Sequence, residues 1–227
     1  MARTGAETRE LLVDTALRLF REQGFDGTTM RGIATEAGVS LGNAYHYFAG
    51  KDELVQELYR VVQVEHRDRT LPRLDPGAPL AENLRTTLHT GLDVMAPYHA
   101  FGQAFVRVAL PSSSPASPFS PESAGPRDLA VDLMRTVVES SSTRVPARLR
   151  ERLPHLLWLA YLGVTLHWVT DGSPDQRRTR RLVDGLAPVV GRALSLSRLP
   201  VARGLVDDVL TLATGLDGAD RPTKEHA

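Results

Sequence analysis

The 227-residue sequence contains no cysteine, which excludes a disulfide scaffold, thiolate zinc sites and cysteine nucleophiles. Lysine is almost as scarce: Lys51 and Lys224 are the only two, and arginine supplies the other 25 of the 27 basic residues. These are matched by 27 acidic residues, so bulk charge gives no argument for nucleic acid as a partner. No apolar run is long enough to span a bilayer and the N-terminus has no signal-peptide core, so a cytoplasmic protein with no membrane partner is expected. Alternating apolar runs long enough for a strand are missing as well. What the chain does have is helical periodicity along most of its length, and the fold class expected is all-α.

The stretch that organises the chain is residues 28–51, where two short helices flank a tight turn. Met30, Ile33, Ala34 and Ala37 recur at i, i+3, i+4 and i+7, which is one apolar stripe of a helix. Gly38 follows, suited to the left-handed conformation that closes a helix, and Ser40 can cap the next one through its hydroxyl. The second helix is expected over residues 41–48, with Leu41, Ala44 and Phe48 on one face. Ahead of both, Thr4 and Glu7 have the spacing of a capping box. Leu12, Val13, Ala16, Leu17, Leu19 and Phe20 then form a buried stripe, Gly24 ends that helix, and Phe25 anchors the turn. A small residue at Ala34, a glycine in the turn and apolar contacts from Val39 and Ala44 are what a helix-turn-helix needs. In such a unit one helix lies across the DNA backbone while the other enters the major groove.

Over Thr29-Met30-Arg31-Gly32-Ile33-Ala34, Ala37-Gly38-Val39-Ser40 and Gly42-Asn43-Ala44-Tyr45-His46-Tyr47-Phe48, followed by Lys51 and Leu54, the sequence resembles the TetR family (TetR/AcrR-like) of bacterial transcriptional repressors. The resemblance implies an N-terminal three-helix DNA-binding domain followed by a larger helical ligand-binding and dimerisation domain. On the residues themselves, Asn43 can offer a donor and an acceptor to adenine, and Leu41 or Ala44 can touch a thymine methyl. His46 suits a base or a phosphate; Gly42 allows close backbone approach to DNA or serves helix packing. Thr29 and Arg31 are phosphate candidates, and the resemblance adds Tyr45, Tyr47 and Lys51, with core packing as the alternative for Tyr47. The DNA-binding set expected is therefore Thr29, Arg31, Ser40, Leu41, Gly42, Asn43, Tyr45, His46, Tyr47 and Lys51. The same turn satisfies G-x-S-x-G over residues 38–42, the nucleophile elbow of α/β-hydrolases, but the preceding segment lacks the strand which that motif requires.

Beyond the head, a helix is expected over residues 51–70, with Asp52 and Glu53 in its first turn and Leu54, Val55, Leu58, Val61 and Val62 on its apolar face. The resemblance makes it the connection between head and body. Further helices read over residues 80–95 and 98–110. Residues 111–126 hold five prolines and six serines and read as a long loop. Within it, Phe119 either closes over a pocket or anchors a solvated connection. Helical periodicity resumes over 128–140, 146–153 and 156–169, the last apolar nearly all round, and again from Asp175. A final helix is expected over 199–216 and a disordered tail over 217–227.

Met95, Tyr98, Phe101, Phe105, Phe119, Trp158, Tyr161 and Thr165 are candidates to line an effector pocket, with ordinary core packing as the alternative. His89, His99 and His167 could add polar contacts, but scattered histidines are more often surface or satisfied core residues, and none has metal-ligand spacing, so no metal and no cofactor is expected. The resemblance further implies a homodimer built as a four-helix bundle from residues 154–198, to which Leu157, Val164, Trp168, Leu182, Leu186, Val189 and Val190 are assigned. Arg177, Arg178, Arg180 and Arg181 read as a solvated helix face paired with Asp171, Asp175 and Asp184, with a second nucleic-acid site as the alternative. Two domains are expected, residues 1–50 and 51–216. The function expected is a ligand-responsive regulator, not an enzyme, that binds a near-palindromic double-stranded operator as a homodimer and is released by a small apolar effector. The alternative is a helical small-molecule-binding or protein-interaction module without sequence-specific DNA binding.

Overall fold

The computed structural model describes residues 3–111 and 113–197. Among them the chain is all-α, with ten α-helices, short 3₁₀ turns at Leu71–Arg73, Ala96–Tyr98 and Pro174–Gln176, and no strand. The helix expected over 199–216 and the tail over 217–227 lie outside the described residues.

The first helix, α1 (Gly5–Gly27), opens on a closed capping box: Glu7 N–H donates to Thr4 Oγ1 at 3.2 Å, and Thr4 N–H donates to the Glu7 carboxylate at 2.7 Å. At Gly24 the backbone leaves helical geometry, as expected, and a further short turn carries the element on to Gly27. The Gly24 φ of +76° bends the chain, and this turn lays Phe25 against Phe20, ring centroids 5.4 Å apart. Helices α2 (Met30–Glu36) and α3 (Leu41–Tyr47) follow, capped by Thr29 and Ser40, whose hydroxyls accept from Gly32 N–H and Asn43 N–H at 3.0 and 3.1 Å. Between them Gly38 sits at φ +66°, in the left-handed region. The buried side chains of the head include Leu12, Ala16, Phe20, Ile33, Ala34, Ala44 and Phe48.

The body comprises α4 (Lys51–Thr70), α5 (Leu80–Met95), α6 (His99–Ala109), α7 (Ala124–Glu139), α8 (Ala147–Arg150), α9 (Leu153–Thr170) and α10 (Arg177–Leu196). Helix α4 is the hub, packing on α1, α5 and α7; α10 lies on α5, α9 on α7, and α6 on both α1 and α9. The head therefore meets the body along two lines, α1 on α4 and α1 on α6. Helix α7 starts four residues before the expected 128, because Pro126 falls in its first turn, where a missing N–H is harmless. The shortened loop before it is bound by its own polar groups: Ser120 Oγ and Ser123 Oγ donate to Pro115 O at 2.7 and 3.0 Å, and Arg127 donates to Pro118 O and Ser120 O.

The turn from α9 to α10 is tied to one buried carboxylate. Asp171 accepts from the N–H and hydroxyl of both Ser173 and Thr179, at 2.6 to 2.9 Å. Burial opposes ionisation of Asp171, but these four bonds outweigh it and hold the group well below the usual carboxylate range.

Candidate nucleic-acid interface and effector cavity

The turn-and-helix unit presents α3 outward. Of its residues Ala44 alone is buried; Gly42, Asn43, Tyr45 and His46 are exposed, while Leu41 and Tyr47 are half-buried. A methyl placed on Gly42 would meet no atom within 4 Å, so helix packing does not explain this glycine. Thr29, Arg31, Leu41, Tyr45 and Lys51 line one open depression beside α3, which brings the phosphate candidates from three elements together. Tyr47 instead leans on α1: its hydroxyl lies against Gly5, and its ring meets that of His46 edge-on at 5.1 Å. Lys51 is partly engaged within the head, with Nζ donating to Phe25 O at 2.7 Å and lying 4.1 Å from the centre of the Phe25 ring. The G-x-S-x-G pattern falls between two helices and its serine caps α3, so the strained strand-to-helix turn of a nucleophile elbow is not formed.

Charge on the head is largely used internally. Arg18 pairs with Glu22 and Glu36, and Arg9 and Arg60 both pair with the buried Glu57. Burial raises the Glu57 pKa, but the two guanidiniums more than reverse this and leave it lowered. Arg31, exposed on the face beside α3, is in no ion pair among the described residues.

In the body, α4, α6 and α9 line a partly open cavity of about 70 Å³. Met95, Tyr98, Phe101, Phe105, Tyr161 and Thr165, all expected there, do line it. Sequence reasoning missed the wall from α4, which is Leu58, Tyr59, Val62 and Gln63. The signal was present. Tyr59, Gln63, His66 and Thr70 recur at i, i+4, i+7 and i+11 as uncharged polar side chains among charged ones, and all four are buried. Burial pushes the Tyr59 phenol up to about 12, and it drives His66 down to about 4 against a smaller opposing effect from its bond to Thr87 O. Opposite α4, Phe101 forms the wall nearest the head, where its ring stacks on Phe20 of α1 with centroids 5.0 Å apart and planes within 6°.

With this geometry in view, the family profile described as "Tetracyclin repressor-like, C-terminal domain" matches residues 83–212, more than half of the chain, and that described as "Bacterial regulatory proteins, tetR family" matches 12–58. The chain belongs to the TetR family of transcriptional regulators. Among curated relatives of this TetR-family chain, the transcriptional repressor KstR2 of Mycobacterium tuberculosis is 47% identical over 49 residues, covering 22% of this chain and 24% of the relative. The chain thus matches about a quarter of that protein's length. Two solved structures share the fold over most of both chains. A TetR-family regulator from Streptomyces coelicolor has TM-score 0.58 and 22% identity over 94% of this chain and 100% of that one. FadR from Thermus thermophilus, in complex with lauroyl-CoA, has TM-score 0.60 and 21% identity over 79% and 92%.

Several expectations for the TetR-family body need correction. Phe119 is 64% exposed and its ring meets Trp158 edge-on at 5.5 Å; the loop reaches the cavity through Pro118 instead. Trp158 is fully buried outside the cavity lining. His89, His99 and His167 bond within the protein, to Asp184, Trp168 O and Thr179 Oγ1 at 2.8 to 2.9 Å, in line with the favoured reading of them as surface or satisfied core residues. Leu157, Val164 and Trp168, assigned to a dimer interface, are buried inside the protomer, and Trp168 lines the cavity. The outward large apolar side chains of α9 and α10 are Leu166, Leu182, Val189 and Leu196, with Leu186 and Val190 half-buried on α10. Of the arginine cluster, Arg180 pairs with Asp93 on α5, and no guanidinium of the cluster bonds the carboxylate of Asp171, Asp175 or Asp184 among the described residues.

Proposed function

We propose that this TetR-family regulator is a homodimeric repressor that binds a near-palindromic operator through residues 1–50 and is released by a small, largely apolar effector bound within residues 51–216. The observation that carries the reading is the shared wall: Phe101 lines the cavity on one side and stacks on Phe20 of α1 on the other. The opposite wall is α4, the helix that continues directly from the α3 unit. A drug-sized molecule needs roughly 300 Å³ or more, against about 70 Å³ in this partly open cavity, so a ligand of that size presses on walls that are also joints to the head. To reverse occupancy from 1:99 to 99:1, the effector must favour the DNA-incompatible arrangement by about 10⁴-fold. The lauroyl-CoA bound to the Thermus protein is consistent with this fold admitting a small-molecule ligand.

Asn43 is assigned to an adenine edge, Leu41 to a thymine methyl, and His46 to a base or a phosphate. Thr29, Arg31, Ser40, Tyr45, Tyr47 and Lys51 go to phosphates, and Gly42 lets the α3 backbone approach the groove. Two heads are needed for selectivity, and the exposed Leu166, Leu182 and Val189 on α9 and α10 offer the face on which a second copy would pack as a four-helix bundle.

The test is selection of duplexes from a random pool by the purified protein, then anisotropy of the winner, with molecular mass from light scattering for wild type and a Leu182→Glu/Val189→Glu variant. The expected result is a near-palindromic winner bound by a dimer, and a variant that is monomeric with much weaker operator binding. Absence of any enriched sequence would reject operator recognition in favour of a small-molecule or protein-binding module.

A further inference from the structure

Six side chains lining the cavity carry a polar atom, Tyr59, Gln63, Tyr98, Tyr161, Thr165 and Trp168; of these the Tyr98 hydroxyl accepts from Arg21 at 3.4 Å and Thr165 Oγ1 donates to Tyr161 O at 3.0 Å. Tyr59 and Gln63 stand one turn apart on α4, and both are more than nine-tenths buried, at 6% and 4% exposure. Neither Tyr59 Oη nor Gln63 Oε1 has a hydrogen-bond partner in the protein. The Tyr59 hydroxyl lies near the Trp158 indole without completing a bond to it. Tyr161 spends its proton on the weak acceptor Met95 Sδ at 3.7 Å, and it lines the same cavity as Tyr59 and Gln63. Buried polar atoms are rarely left without a partner, because each such atom forfeits its hydration for nothing in return. Two such atoms one helical turn apart, in the wall of a mostly apolar cavity, describe what a ligand must bring.

An ionised group does not fit. No Arg, Lys, His, Asp or Glu is among the described residues that line the cavity, and an isolated charge brought there would lose its hydration without a counter-charge. A hydrocarbon would leave both polar atoms orphaned. A ketone could accept from Tyr59 Oη but would face the oxygen of Gln63 with another acceptor. A hydroxyl, with one proton and two lone pairs, matches both partners at once.

We propose that the cavity recognises an uncharged, mostly apolar alcohol or phenol, whose hydroxyl donates to Gln63 Oε1 and accepts from Tyr59 Oη. This rests on the cavity being the effector site, and it names the effector's chemical class. It also separates this chain from a regulator that takes a polyanionic thioester such as lauroyl-CoA, the ligand of the Thermus structure.

The experiment is calorimetric titration of the full chain, without DNA, by matched alcohol, hydrocarbon and carboxylate on three skeletons: benzyl alcohol, toluene and benzoate; 2-naphthol, naphthalene and 2-naphthoate; 2-decalol, decalin and decalin-2-carboxylate. On at least one skeleton the alcohol is expected to bind roughly 10- to 100-fold more tightly than both counterparts, the range set by leaving a buried polar atom unpaired. Gln63→Leu is expected to bring the alcohol down to the level of the hydrocarbon while leaving the melting temperature unchanged or higher, because an orphaned acceptor is removed. Equal affinity for hydrocarbon and alcohol would mean that water already serves Gln63, and would overturn the proposal. Tighter binding of a carboxylate, failure of all three alcohols, or unchanged selectivity in Gln63→Leu would overturn it as well. So would a marked loss of stability in Gln63→Leu, since it would show the amide to be satisfied within the protein. Because DNA is left out, these outcomes are independent of operator selection. A protein that selects an operator yet prefers the hydrocarbon sinks this inference alone, and one that prefers the alcohol yet selects no DNA sinks the regulatory reading alone.

Discussion

Gly38 and Gly42 are four residues apart, and a methyl on either would meet no atom within 4 Å. Their responses to alanine should nevertheless be opposite. Gly38 lies at φ +66°, where an L-residue is strained by about 1–2 kcal/mol, so Gly38→Ala is expected to destabilise by that amount and to lower Tm by several degrees. Gly42 has ordinary helical geometry in the first turn of α3, so alanine there relieves the entropic penalty of glycine and gains up to about 1 kcal/mol. Stability therefore rises while function falls. If the α3 backbone approaches the major groove at Gly42, the added methyl pushes the helix outward and strains the Asn43 contact. A good bidentate base contact is worth about 1–3 kcal/mol, so operator affinity should fall roughly tenfold or more. The assay pairs thermal or denaturant unfolding with anisotropy on the selected operator, for wild type and both variants. A Gly42→Ala protein that is stabilised and binds the operator unimpaired would refute close backbone approach, and one that is destabilised would refute the open environment of Gly42. Gly38→Ala serves as the control, since its damage should appear in stability first.

Phe20→Leu and Phe101→Leu should each destabilise, with a coupling of about 1 kcal/mol in the double-mutant cycle from denaturant unfolding; additivity within about 0.3 kcal/mol would remove the stack as a joint between cavity and head. His66 donates through Nε2 to Thr87 O and is held down to about 4, so as pH falls below about 6.5 the unfolded chain binds a proton that the folded chain refuses. Stability should drop by roughly 2 kcal/mol between pH 7 and 5, beyond the change seen in His66→Gln, and parallel pH profiles for the two proteins would contradict the buried neutral imidazole. Asp171 acts in a separate window. Its pKa is depressed, so its contribution is intact above about pH 4 and is lost only as pH falls further, whereas Asp171→Asn should cost about 2–3 kcal/mol at neutral pH by turning an acceptor of Thr179 into a donor. A neutral outcome for Asp171→Asn in chemical denaturation would show that the α9–α10 turn does not depend on the carboxylate.

The head was legible because its signals are local. Thr4 with Glu7, Thr29, Gly38 and Ser40 act on backbone groups within four residues of themselves, so spacing alone specifies their work. The same holds for α4, bounded by Asp52 and Glu53 at its start and Pro72 past its end, and for α5, set between Pro79 and Pro97. Where a reading failed, the missing information was three-dimensional. Helix α9 is apolar nearly all round, and periodicity cannot say which side of such a helix meets its own body; Leu157, Val164 and Trp168 turned inward and Leu166 outward. Phe119 sits in a proline-rich loop with no period to read, and the chain reached the cavity with its neighbour Pro118. His99 found Trp168 O from 69 residues away, a pairing with no local trace. The α4 wall was readable in principle, but its polar stripe ran beside a stronger apolar one and was passed over.

The internal pairing of the head's arginines bears on how the protein would move among DNA sites. Each phosphate neutralised on binding releases counterions and adds about −0.9 to the slope of log affinity against log salt. Arg18 is held by Glu22 and Glu36, and Arg9 by Glu57, while the cations lining the depression beside α3 are Arg31 and Lys51. A single head would then contribute a slope of roughly −2, shallow for a DNA-binding unit. Such a head gains little from arbitrary sequence and is not sequestered by the bulk of a genome. Few copies would suffice to search for one operator, and its occupancy would follow the supply of effector more closely than the ionic strength around it.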